Sequence, residues 1–287
     1  MTTSKTLGTH RPSDGRGSGI PTAAPVRRNR QAFRGLSGLI RRHPLMAFFV
    51  ISFAVAWGFL PFGSFGAFSP LVAALIVIPI TQGRAGLRQL GSRLIRWRVA
   101  WYWYVLAIGV PIAVIMIAVP LTVGLGAPVP SLGELAPWYS LVMVFAVRII
   151  NPVDGPLGEE PGWRGFAQPS LQAGRSPLAA TAMLAVVLSV WHLPLVLMPQ
   201  FGLPPIALLT TFAITFWYSW LLNRTCGSVL LTVLAHAAQG IVQPYRFWDD
   251  PAFGNKEAMI ECALWCAVSV GLVVLDRKRW HRRPARK

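Results

Sequence analysis

Trp101–Val123, WYWYVLAIGVPIAVIMIAVPLTV, decides the class of this protein: twenty-three consecutive residues without one charged side chain. A helix rises about 1.5 Å per residue, so this run can cross the roughly 30 Å hydrocarbon layer of a bilayer. It opens on Trp101, Tyr102, Trp103 and Tyr104, amphipathic rings of the kind that settle at a membrane–water interface. Seven further apolar stretches flank it, at 44–62, 66–82, 138–157, 178–198, 204–222, 226–245 and 258–275. The second is the shortest and contains Pro70 and Pro79. Over its 287 residues the chain is 54% hydrophobic and 13% charged; soluble domains are about one quarter charged. Too little polar surface remains to cover a water-soluble body. The expectation is an all-α polytopic membrane bundle of about eight spans.

The charges lie between the spans. Lys and Arg number 27 against 10 Asp and Glu. If the N-terminus is inside, the inner segments hold twenty-four bases and the outer loops only Arg246 and Lys256. That positive-inside asymmetry places both termini in the cytoplasm and favours an even number of spans. It also accounts for the basic excess without nucleic acid, so no nucleic-acid partner is expected. Residues 1–42, rich in Ser, Gly, Pro and bases, read as a disordered cytosolic tail. The bundle then occupies 43–276, and 277–287 form a second basic tail. Within 83–99, Leu87, Leu90, Leu94 and Trp97 recur at helical spacing between arginines, the pattern of a basic helix lying on the inner leaflet. An ordinary basic loop is the plain alternative. Cys226, Cys262 and Cys266 show no metal-type spacing.

Chemistry concentrates in few places. Most of the acids read as tail or loop residues, but Glu159 and Glu160 stand together at the end of the fourth span, and Arg164 follows. Two histidines, His192 and His236, fall inside apolar runs. Ionisable groups at membrane depth cost several kcal/mol, about 2.5–3.5 each even on lenient scales, and persist where they pair, face water or do work. An acid pair and two histidines on three helices can converge in a bundle. A carboxylate there could take a proton from water, and imidazoles could stabilise the resulting oxyanion. Taken singly, each has a bland reading. Glu159 and Glu160 could cap a helix starting at Pro161, the histidines could be packing residues, and Arg148 in the fourth span could pair with an acid or snorkel.

Taken together, the motifs resemble a known family. Glu159-Glu160-x-x-x-Arg164 is similar to the EExxxR motif of the CAAX protease and bacteriocin-processing (CPBP, or Abi) family, and EEPGWRGFAQPSLQ (159–172) resembles its bacterial branch. LSVWHLP, with Leu188 four before His192, resembles the second motif; Asn223-Arg224-Thr225-Cys226-Gly227-Ser228 leading to His236 resembles the third. The resemblance covers roughly 138–245. It implies an intramembrane endopeptidase, in a bacterial cell membrane, acting on membrane-associated peptide or protein substrates. Carried over by position, Glu159 activates the attacking water, Glu160 and Arg164 support it, and His192 and His236 serve the water and the oxyanion. Family members are described both as metalloproteases and as metal-independent glutamate peptidases. Zinc held by Glu159, His192 and His236 is therefore one alternative and a metal-free site the other.

Two departures from the pattern stand out. Where the family has Asn four residues after the last histidine, this chain has Gly240; Gln239 or Gln243 is a candidate substitute. Pro161 disfavours helical geometry at Glu160 and removes a backbone donor, which puts the Glu160–Arg164 pairing in question. An inactive membrane scaffold or bacteriocin-immunity protein of the same fold is accordingly the main rival. A proton-coupled transporter is the other, and the sequence shows no internal repeat of the kind many transporters have.

Overall fold

A computed structural model describes residues 35–130, 137–241, 247–248 and 250–282. The expected tail up to residue 34, together with Gln243 and Arg246, lies outside the described residues. Among those described every regular element is helical. Leu36–Arg42, counted in the expected tail, form a helix, α1, whose Ile40 is buried in the core.

Pro44 sits in the first turn of α2 (Pro44–Gly58), where its missing N–H costs nothing. The second expected span and the basic segment after it are one long element, α3 (Ser69–Leu94), bent at Gly83. Gly83 has φ 64° and ψ −157°, a conformation that only glycine adopts cheaply. Beyond the bend Leu90 is buried, and Leu87 and Leu94 pack on the protein core. This apolar face thus meets protein where a lipid surface was expected, and Trp97 lies past the helix end, 62% exposed.

The decisive stretch becomes α4 (Tyr102–Gly124). The fourth span is interrupted. α5 (Tyr139–Ile150) ends at Asn151, held extended by Pro152, and α6 (Gly155–Gly162) starts afresh after Asp154. A π-helical turn at Trp163–Ala167 leads into α7 (Gln168–Gln172). Then come α8 (Pro177–Trp191), α9 (Leu193–Leu197), α10 (Ala207–Arg224), α11 (Val229–Gln239), α12 (Pro251–Leu275) and α13 (Arg277–Trp280). Ser176 and Ser228 cap α8 and α11 by accepting from backbone N–H groups.

Among the described residues, five helical stretches are long and apolar enough to cross a membrane: 44–62, 69–94, 102–124, 139–172 and 251–275. The segments expected at 178–198 and 226–245 give the shorter apolar helices α8 and α11. α10 carries Thr215, Ser219, Asn223 and Arg224, and is not among the five.

Two apolar clusters form the interior. One joins α2, α3 and α8 around Phe48, Trp163 and Trp191; the other joins α4, α10, α11 and α12 around Trp217, Leu231 and Trp265. Between them lies α6, which packs on α3 and on α11. Gly158 and Gly162, four residues apart, make the α3 contact possible. A Cβ on Gly158 would stand 2.8 Å from the Cα of Phe68, and one on Gly162 would stand 2.5 Å from the Cβ of Pro70. Small residues at this spacing let membrane helices approach closely, and the intervening glutamates are turned toward the interior.

Candidate active site

α6 is buried all round: Glu159 is 5% and Glu160 0% exposed. Its first turn contains no acid and starts at Gly155, so the reading of the two glutamates as caps of a helix beginning at Pro161 is corrected. Nor does Pro161 break the helix. The backbone continues through it, and the π-helical turn that follows accommodates the irregular hydrogen bonding, as such turns often do beside functional groups. Arg164 therefore reaches Glu160 after all, with Nη1 donating to Oε1 at 3.3 Å. From α3, Arg93 donates to the carbonyl of Gly165 at 2.9 Å and fastens the π turn from outside.

Glu160 is a junction. Its Oε1 also receives His236 Nδ1 at 3.0 Å, across from α11. A carboxylate oxygen only accepts, so Nδ1 carries the proton and Nε2 is left free on the far side of the ring. That Nε2 and Glu159 Oε1 flank the same point beside Gly155, where a Cβ would be 3.4 Å and 2.9 Å from them. Tyr218 of α10 stacks on the His236 ring, with centroids 5.6 Å apart, and the Arg164 guanidinium lies over the Tyr218 ring, 4.9 Å from its centroid. The Tyr218 hydroxyl donates to Gln239 Oε1 at 2.6 Å.

His192 stands at the end of α8, where Pro194 limits the helix. Its Nδ1 donates to the carbonyl of Leu188 at 2.9 Å, which again leaves Nε2 free. The acceptor is the carbonyl one turn back, which any residue at 188 would supply; the Leu188 side chain itself is buried in the core and lines the chamber described below. Phe65 stacks on the ring at 6.3 Å, and Trp191 meets it edge-on at 4.7 Å.

A chamber of about 590 Å³ brings these groups together, with Glu159, Glu160, Arg164, His192 and His236 all in its wall. Glu159 differs from its neighbour: its carboxylate makes no side-chain hydrogen bond among the described residues, whereas Glu160 is held from two directions. A buried, unheld carboxylate facing a free imidazole nitrogen can accept a proton from a water molecule between them.

Sequence reasoning missed several chamber residues. Tyr218 gave no signal, since aromatic residues are common in apolar helices. Asp154, which pairs with Arg148 at 3.3 Å, fell inside the expected fourth span, and Glu261 inside the eighth. Glu257 and Glu261 lie on α12, so the remaining acids are not all in tails or loops. An acid within an apolar run was the available signal.

Among the described residues, no group of three His, Cys, Asp or Glu side chains is arranged to hold a metal ion. Glu159, His192 and His236 share the chamber without forming a ligand cluster, and the zinc alternative does not fit this arrangement.

Residues 136–242 match the family model described as type II CAAX prenyl endopeptidase Rce1-like. No curated protein matches the chain. The matched segment runs from the start of α5 to the end of α11 and so contains every motif residue of the chamber. Over this segment, somewhat more than a third of its length, the chain is similar to the CAAX-type membrane endopeptidases of the CPBP family.

Proposed function

We propose that the protein is an intramembrane endopeptidase in which Glu159 activates water to hydrolyse peptide bonds of membrane-associated peptides or proteins. The observation that carries this reading is the contrast within the glutamate pair: Glu160 is tied to Arg164 and His236, while Glu159 faces His236 Nε2 with its carboxylate unheld. In the reaction, Glu159 takes a proton from the water as its oxygen attacks the carbonyl carbon. The carbonyl π electrons move to oxygen, and donors in the chamber hold the oxyanion. On collapse the C–N bond breaks, and the proton held by Glu159 passes to the leaving nitrogen. Glu160 fixes the tautomer of His236 and, with Arg164, its place. His192, set by its Leu188 contact, presents the acceptor Nε2 to the water. A preorganised site in a water-poor interior makes such contacts more effective than they are in water.

The twenty-four-to-two distribution of bases supports cytoplasmic termini, and the EEPGWRGFAQPSLQ stretch supports a bacterial cell membrane. The test uses purified protein in nanodiscs with a library of quenched peptides. Cleavage should be present in wild type and lost in His192→Ala and His236→Ala, with products whose masses show addition of water. Cleavage that persists at the wild-type rate in both variants would refute the site; a wild type that cleaves nothing would favour a scaffold.

A further inference from the structure

Gly240 ends α11 with φ −92° and ψ 9°, a conformation open to any residue. Nothing in the backbone requires glycine there; what requires it is space. A Cβ on Gly240 would run into the guanidinium of Arg148, with Nη2 and Cζ in overlap and Nε at 2.7 Å. Arg148 comes from α5, ninety-two positions earlier in sequence, and is 9% exposed. Its side chain thus occupies the volume into which a residue at 240 would project.

That volume opens on the reaction chamber. Arg148 lines it together with Glu159 and His236. Gly240 lies one turn beyond His236, with Gly240 N–H donating to the His236 carbonyl at 3.2 Å, so both belong to one face of α11. The guanidinium has five N–H donors in a fixed fork. Among the described residues its side-chain partner is Asp154, on Nη1 at 3.3 Å, and Nε is buried without a partner. Asp154 opposes part of the charge and fixes the fork; it does not saturate it.

We infer that Arg148 is a further catalytic residue, the donor that stabilises the oxyanion of the tetrahedral intermediate from the place left free by Gly240. The inference rests on the hydrolytic reading above. A cation held in advance at the developing negative charge needs no reorganisation as the reaction proceeds. Asp154 on the other side of the guanidinium holds it in place, and the same ion pair spans the break between α5 and α6. Gly240 and Arg148 are then two halves of one feature: a side chain removed on α11 and a longer, charged one supplied by α5.

The experiment compares wild type, Arg148→Ala, Asp154→Asn, Gly240→Asn and the double variant Arg148→Ala with Gly240→Asn, by kcat, KM and thermal unfolding in nanodiscs. Arg148→Ala should lower kcat about 10²–10³-fold, the loss typical of one oxyanion donor, with KM little moved. Gly240→Asn alone should be impaired, because its side chain contests the guanidinium. The double variant should recover kcat relative to Arg148→Ala, since the amide enters the vacated space. Asp154→Asn should lower unfolding temperature more than kcat. Unchanged kcat in Arg148→Ala would overturn the assignment. A rise in KM alone would also do so, by making Arg148 a ground-state substrate contact. Equal kcat losses in Arg148→Ala and Asp154→Asn without rescue by Asn at 240 would make the pair a strut. Hydrolysis that ignores Glu159→Gln would instead overturn the hydrolytic reading itself, and this role with it.

Discussion

α4 and the α5–α7 rod are both long and apolar enough to cross a membrane, yet they are buried in opposite ways. α4 buries one stripe, Trp103, Ala107, Pro111, Val114, Ala118 and Thr122, and turns Val105, Met116 and Leu121 outward. That is the pattern of a helix with protein on one side and lipid on the other. In the rod, the stretch from Gly155 to Ala167 is buried almost throughout, although it holds two glutamates and an arginine. A one-sided helix keeps its place by apolar contact alone. An all-round buried one with charges stays folded only if the charges satisfy each other, and Glu160 does this for both Arg164 and His236. In this stretch the buried charges lean on one another through Glu160, whereas Glu159 makes no side-chain hydrogen bond among the described residues.

The contrast predicts unequal sensitivity. Arg164→Met leaves Glu160 without its guanidinium partner in a fully buried place, and should cost about 3–5 kcal/mol, as breaking a buried ion pair does. Gly162→Ala inserts a Cβ against Pro70 and should cost about 1–3 kcal/mol through overpacking of α6 on α3. Ile115→Val in α4, at a site 7% exposed, should cost about 0.5–1.5 kcal/mol. Met116→Leu, one position on and 66% exposed, should stay within about 0.5 kcal/mol of wild type. Equilibrium unfolding in mixed micelles orders the four. A result in which Ile115→Val exceeds Arg164→Met would break the comparison.

How much was readable beforehand differs along the same line. α4 was legible from Trp101–Val123 because one side chain after another reports the solvent around it. The chamber was legible as a residue set: Glu159, Glu160, Arg164, His192 and His236 were singled out by charge in apolar context and by motif order, and all five line one cavity. Their partnerships were not legible. Glu160 meets His236 across seventy-six positions and Arg148 meets Gly240 across ninety-two. No periodicity in a sequence encodes which two helices face each other. The break at Asn151–Asp154 was missed for a different reason: Pro152 and Pro156 signal it, but the surrounding apolar run masks them. Pro161 misled in the other direction, because a proline warns of a break and the adjoining π turn absorbs it.

The central claim is that the paired glutamates have divided roles, Glu160 holding the architecture and Glu159 moving the proton. Cleavage rate and unfolding temperature measured side by side for Glu159→Gln and Glu160→Gln test it most directly. The account predicts that Glu159→Gln unfolds at close to the wild-type temperature while cleavage falls about 10²–10⁴-fold, the contribution of a general base, and that Glu160→Gln loses both. Wild-type cleavage by Glu159→Gln would contradict it.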